Sequence, residues 1–336
     1  MKKIAGAISV SVLVLCSQVG VASALQAMPM TTTSYYVNTT DTETDAQLQN
    51  WAYQKGYALG QQTYASGNAT DNAVILDFGQ PRLVNGVYGA SGYKSGTNYL
   101  STNSITLAAL YFAYGYWNGI GTVKATPLRM IIGTSNSGMN SWTDANLYTH
   151  GQTWINMVKN IQYNVQYYGW SSKVATYGGN DIEMGYAPPA KTMQWVNGYN
   201  SQYASGFYLF DFGDANSCPQ SGTTNVPAAC ANGWNQENVW QVSWGNYSYP
   251  FPEIYSTAGG NAKQWQQLSL YSYLAHGGAM YITAPLSQSL ACAQRGGCTG
   301  TNNTPSQAWS QMWTYLNGDS RTAQNLIWSS DIAWKF

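Results

Sequence analysis

Val74-Ile75-Leu76-Asp77-Phe78, closed by Gly79-Gln80-Pro81, is a short apolar run bounded by turn residues. Aliphatic side chains without polar alternation mark a strand buried on both faces, the kind a parallel sheet requires. The pattern recurs outward from this point. Leu128-Arg129-Met130-Ile131-Ile132-Gly133 reads the same way, and Lys173 to Tyr177, Gly206 to Phe212, Val239 to Trp244, Phe251 to Tyr255 and Ala279 to Ala284 follow. Between these runs lie segments with helical spacing: Ile105 to Trp117 after the cap residue Ser104, His150 to Tyr168, Pro189 to Tyr203, Asn261 to Ala275, Pro305 to Leu316 and Arg321 to Ile327. Strands alternating with helices predict a parallel sheet with right-handed crossovers. Six or seven such strands, and no phosphate-binding glycine loop after the first, predict an α/β fold of the (β/α)8 TIM-like barrel type, irregular in places. No internal repeat or linker divides the chain.

The N-terminal residues carry an export signal. Lys2 and Lys3 precede an apolar run from Ile4 to Val14, and Ala22-Ser23-Ala24 offers small residues for cleavage. The run is shorter than the about 20 residues of a membrane span. Cys16 raises the alternative of a lipoprotein, but Leu15 stands where such a signal carries Gly, Ala or Ser. The chain thus divides into a signal peptide over 1–24, an N-terminal extension over 25–70, and the barrel over 71–336. In the extension, residues 25–43 are Thr-rich and read as extended or loose, and Asp45 to Ala65 forms a helix packed on the barrel. No second apolar stretch of spanning length occurs, so the mature chain is expected to be secreted, away from the membrane and monomeric.

Cysteine usage agrees with export. Cys218, Cys230, Cys292 and Cys298 remain after the signal is removed. An even number in an exported chain predicts disulfides, and each sequence-adjacent pair flanks a short Gly/Pro/Asn/Ser-rich stretch that closes at little entropic cost. The predicted bridges are Cys218 to Cys230 and Cys292 to Cys298. Their spacing does not suit zinc, and no metal or cofactor is expected.

Only 8% of residues are charged, against about 25% in ordinary domains, and 14% are aromatic. The chain's 14 Lys and Arg, less Lys2 and Lys3, leave 12 against 14 acidic residues, a formal charge of −2. Without a basic patch, nucleic acid is excluded as a partner. A surface of Asn, Gln, Ser, Thr and Tyr with aromatic faces suits uncharged polar ligands such as a polysaccharide.

Acidic residues are so few that their positions carry information. In a barrel the active site lies at the C-terminal ends of the strands. Asp77 ends the first apolar strand, Asp181 and Glu183 follow Val174-Ala175-Thr176-Tyr177, Asp211 ends Phe207-Tyr208-Leu209-Phe210, and Glu253 follows Phe251-Pro252. Asp181-Ile182-Glu183 is the most informative of these. Residues two apart on a strand share a face, about 6.6 Å apart, so the two carboxyls can split their pKa values into an acid and a base. Glycoside hydrolysis needs that pairing. Tyr177 and Trp244 each end a predicted strand and are candidates to stack on a sugar ring, with Asp211 and Glu253 as candidate substrate ligands. A serine-based hydrolase is disfavoured: there is no Gly-x-Ser-x-Gly elbow, and His150 and His276 lie on helices.

Asp77 together with Asp181-Ile182-Glu183 resembles the pattern of glycoside hydrolase-like barrels of the family 25 lysozyme type. That family carries an Asp on its first strand and an Asp-x-Glu at the end of a middle strand. Trp265-Gln266-Gln267 is similar to its Trp-Gln stretch. The resemblance implies Glu183 as general acid, Asp181 as the group that positions or stabilises the reacting sugar, and Asp77 as an accessory carboxylate. Met280 to Pro285, the last predicted strand, lacks the terminal Asp of that family. Over its whole mature length the chain is similar to a group of exported bacterial proteins to which no reaction is assigned. The likeness lies in Gly179 to Glu183, Val239 to Gly245, Asn303 to Trp309, Asp319 to Gln324 and Trp328 to Ile332. The expected function is a glycoside hydrolase acting on a polysaccharide such as cell-wall glycan. The alternative is a non-catalytic barrel that binds glycans or serves at the cell surface.

Overall fold

A computed structural model describes residues 25–67, 72–94, 98–122 and 127–335. The signal expected over 1–24, with Cys16, lies outside the described residues. The chain runs through β1 (Thr31–Val37), α1 (Asp45–Ala65), β2 (Ala73–Asp77), three short strands β3 (Gln80–Val84), β4 (Val87–Ser91) and β5 (Tyr99–Ser101), then α2 (Thr102–Ile120) and β6 (Leu128–Ser135). It continues with α3 (Asp144–Tyr167), β7 (Val174–Asp181), α4 (Pro189–Ser201), β8 (Leu209–Asp211), α5 (Gln236–Ser243), β9 (Ser248–Pro250) and α6 (Gly260–His276). The last elements are β10 (Leu286–Ser287), α7 (Ser289–Gln294), α8 (Pro305–Asn317) and β11 (Ser329–Lys335).

Eight strands form one curled parallel sheet in the order β10-β11-β1-β2-β6-β7-β8-β9, and helices alternate with them along the chain. Beyond β9 the chain reaches across to β10. Glu253 and Leu286 form a parallel bridge, Ile254 N–H donates to Leu286 O and Leu286 N–H to Pro252 O, both at 2.8 Å. The β3-β4-β5 unit is a separate antiparallel sheet inserted after β2.

Strand alternation sorts the core into two parts. Ala73, Ile75, Ile131, Phe210, Phe212, Phe251, Ile332 and Trp334 fill the concave interior of the sheet. Val74, Leu76, Met130, Ile132 and Leu209 face the helices with Phe112, Trp154 and Trp195. Helices α1 and α2 approach backbone to backbone: a Cβ on Gly56 or Gly60 would strike the carbonyls of Phe112 or Tyr116, and one on Gly115 or Gly119 those of Tyr53 or Tyr57.

Several expectations change. Residues 31–37, expected to be extended or loose, are extended: they form an inner strand paired with β2 and β11, whose Thr, Ser and Tyr side chains alternate between buried and half-buried positions. Residues 31–37 therefore belong to the same sheet as the later strands, and Asp77 ends the second strand rather than the first. Val239 to Trp244 is helical, not extended: Asn235 and Asn238 make a capping box, and Val239 and Val242 bury one helix face. The run from Ala279 to Ala284 carries no ladder of its own, and β10 begins two residues later. Arg321 to Ile327 is a turn and extended chain leading into β11 instead of a helix. Both predicted disulfides are present, Cys218–Cys230 and Cys292–Cys298. Among the described residues, no helix is long and apolar enough to cross a membrane.

Candidate functional site

The C-terminal ends of the parallel strands surround a cavity of about 280 Å³ lined by Tyr36, Tyr93, Asp181, Glu183, Tyr186, Glu253, Tyr255, Gln288, Arg295 and Trp334. Alternation explains who reaches it. Tyr36 and Trp334 face each other across the β1/β11 register, their rings tilted by 30° with centroids 4.5 Å apart. On β2 the inward positions are Ala73, Ile75 and Asp77, and on β7 they are Tyr177, Gly179 and Asp181. Gly133 and Gly179 are paired across β6 and β7, and the Phe212 ring occupies the space their missing side chains leave; a Cβ on Gly133 would lie 2.6 Å from Phe212 Cζ.

Asp77 and Asp181 are joined through a residue that the sequence did not mark. Tyr93 Oη lies 2.8 Å from an Oδ2 of each. One phenolic hydrogen cannot serve two carboxylates, so one contact requires a proton carried by a carboxyl. Asp77 Oδ1 also accepts from Gly79 N–H at 2.9 Å, whereas Asp181 Oδ1 is buried without a hydrogen-bond partner. Burial pushes Asp77 up to about 6, against the lowering effect of Gly79 and Tyr93. Burial, and then the charges of Glu183 and Asp77, push Asp181 well above the ordinary carboxylate range.

Glu183 stands two residues past Asp181, outside the ladder. Asn136 holds its backbone at both ends: Glu183 N–H donates to Asn136 Oδ1, and Asn136 Nδ2 donates to Glu183 O, each at 3.0 Å. Burial and the nearby Asp214 charge raise its carboxyl to about 7. Glu253 enters from beyond β9 and is 5% exposed; burial and the charges of Glu183 and Asp181 raise it well above its usual value. Its neighbour Tyr255 hydrogen-bonds Tyr36 at 3.0 Å. One carboxylate oxygen from each of Asp181, Glu183 and Glu253 lies within 4.8 Å of the other two. Such a trio can ligate a hard cation, or it can hold and pass a proton.

The other candidates fall elsewhere. Asp211 is on the outward face of β8, between the inward Phe210 and Phe212; it accepts from Ser243 Oγ and from Gly213 N–H, and burial raises it to about 7. Tyr177 lies on the inward face of β7 four residues before Asp181, lining a different cavity. Trp244 caps α5 and packs edge-on against Tyr249, away from the carboxyls. His150 is buried with Nε2 on Gly89 O at 2.9 Å and Nδ1 accepting from Trp195 Nε1 at 2.8 Å, and desolvation pushes it down to about 4. It is a neutral packing residue.

Comparison with known protein families, curated proteins and solved structures finds no match to this chain. The site must be read from its own chemistry. Tyr93 and Asn136 were missed because neither residue type signals a role alone. Tyr93 arrives through the inserted β3-β4-β5 sheet, and Asn136 acts through the backbone of another residue.

Proposed function

We propose that the protein is an exported glycoside hydrolase-like enzyme, in which the bridge from Glu253 to Leu286 closes the sheet into a TIM-like barrel. The observation that carries this reading is the convergence of Asp181, Glu183 and Glu253 on one cavity rimmed by Tyr36, Tyr186, Tyr255 and Trp334, with Asp77 joined to Asp181 behind it through Tyr93. Glu183 is the general acid: with its pKa near 7 it keeps a proton at neutral pH and can deliver it to a leaving glycosidic oxygen. Asp181 sits beside it as the group that stabilises the developing positive charge on the sugar, or attacks it. A cavity near the lower bound of about 300 Å³ for ligand pockets suits one sugar ring at a time. The substrate is a polysaccharide such as cell-wall glycan. Two disulfides support an extracytoplasmic setting.

One observation favours a glycan-binding protein without catalysis. All four carboxyls are pushed toward their neutral forms, which leaves little negative charge to stabilise an oxocarbenium-like transition state. Reducing-end release from peptidoglycan and chitin separates the two readings. The chain without residues 1–24 should release reducing ends, and Glu183→Gln should lower the rate about a hundredfold or more with its circular dichroism unchanged. Activity that survives the substitution removes Glu183 from the role. Binding without release supports the second reading.

A further inference from the structure

The sheet interior has a second opening, at the N-terminal ends of the strands, and its chemistry is the reverse of the first. A cavity of about 240 Å³ is lined by Arg129, Tyr177, Tyr208, Phe210, Tyr249, Tyr281, Thr283, Ile327 and Trp328. Phe210, Thr283 and Trp328 are buried beneath it, whereas Tyr281 is 37% exposed at its edge. No carboxyl lines it. Its charged residue is Arg129, whose guanidinium lies 4.9 Å over the Trp328 ring. Trp328 contributes a further feature: it is 4% exposed, and its Nε1–H meets no acceptor. A buried indole donor without a partner is costly in a folded protein, and at a cavity wall a ligand oxygen can satisfy it.

We infer that this cavity is a second binding site, for a ring-bearing carboxylic acid whose ring lies among Tyr177, Tyr208 and Tyr249 and whose carboxylate meets Arg129. Tyrosine faces take up a planar or pyranose ring, and their hydroxyls reach its polar groups. A guanidinium over an indole can offer its N–H donors to a carboxylate. The ring can come from a sugar acid or an aromatic acid; the recognition chemistry is the same. The two cavities differ in lining, carboxyls and Arg295 in the first and tyrosines with Arg129 in the second, so substitutions in one distinguish it from the other. The inference does not depend on the glycosidase reading.

Glucuronate and benzoate are the probes, with glucose and benzyl alcohol as neutral counterparts, in saturation-transfer NMR and tryptophan fluorescence titrations of the chain lacking residues 1–24. At least one acid should bind more tightly than its neutral counterpart. Arg129→Gln should weaken that binding about tenfold, the loss of one charge-assisted contact. Tyr281→Ala, at an exposed edge and therefore safe for folding, should weaken it as well. Glu183→Gln should leave it unchanged. Absence of binding by both acids, binding indifferent to Arg129→Gln and Tyr281→Ala, or binding abolished by Glu183→Gln overturns the inference. Preference for glucuronate assigns a sugar acid, and preference for benzoate an aromatic one.

Discussion

Tyr93 has one hydroxyl proton and two carboxyl neighbours, and that mismatch sets the resting state of the site. A proton held on Asp77 or Asp181 completes the chain Asp77–Tyr93–Asp181. The tyrosine also lowers both acids relative to what burial alone would give. In Tyr93→Phe both carboxyls should therefore titrate higher. The measurable outcome is a stronger protonated-carboxyl stretch in the infrared spectrum near neutral pH, together with a shift of the pH–rate profile toward higher pH. An unchanged spectrum would mean that the tyrosine packs without holding the proton. The carboxyls themselves were legible in the sequence, since an acid-poor chain placing Asp77, Asp181, Glu183 and Glu253 at strand ends leaves few other purposes for them. The tyrosine was not, because 27 tyrosines dilute any one of them and contact at a distance of 88 residues has no local signature.

At the scale of elements, alternation decides function as much as residue type does. Asp211 looked equivalent to Asp181, each an acid closing an apolar run. Phe210 and Phe212 claim the inward positions of β8, so Asp211 turns to the helices and receives Ser243 and Gly213. Asp211→Ala should cost about 1–3 kcal/mol in urea denaturation by stranding those two donors. It should leave the activity of the folded fraction intact; a lost activity with unchanged stability would return Asp211 to the site. The same logic explains Val239 to Trp244. Its β-branched residues invite a strand, but the capping box of Asn235 and Asn238 immediately before Val239 starts a helix there. Strand β1 was hidden for a different reason: Thr32, Ser34 and Tyr36 supply its inward positions, and Thr32 and Ser34 meet Ser330 of β11 through hydroxyl contacts where the other strands use aliphatic packing.

For the molecule as a whole, the buried acids make stability depend on pH in an uncommon direction. Asp77 rises from 3.8 to about 6, Asp211 from 3.8 to about 7, and Glu183 from 4.5 to about 7. Each folded-state value lies above the unfolded one, so the folded chain binds more protons between them. The corresponding stability is fully present below the unfolded values and is lost as pH rises through the folded ones. Thermal unfolding temperature should fall as pH climbs from about 4 to about 7, and Glu183→Gln should flatten the upper part of that slope. A midpoint that rises over the same interval would show that these carboxyls are ionised in the folded chain.

The placement of β11 between β10 and β1 governs the order of events in folding. Thr31 lies opposite Ser329, so one edge of the sheet's first strand waits for a partner nearly 300 residues downstream, while β2 pairs with the other. The helices and strands between them can assemble first, yet the β1–β11 seam is not sealed until β11 pairs with β1. Closing so large a loop is slow, and the unsealed intermediate exposes two strand edges.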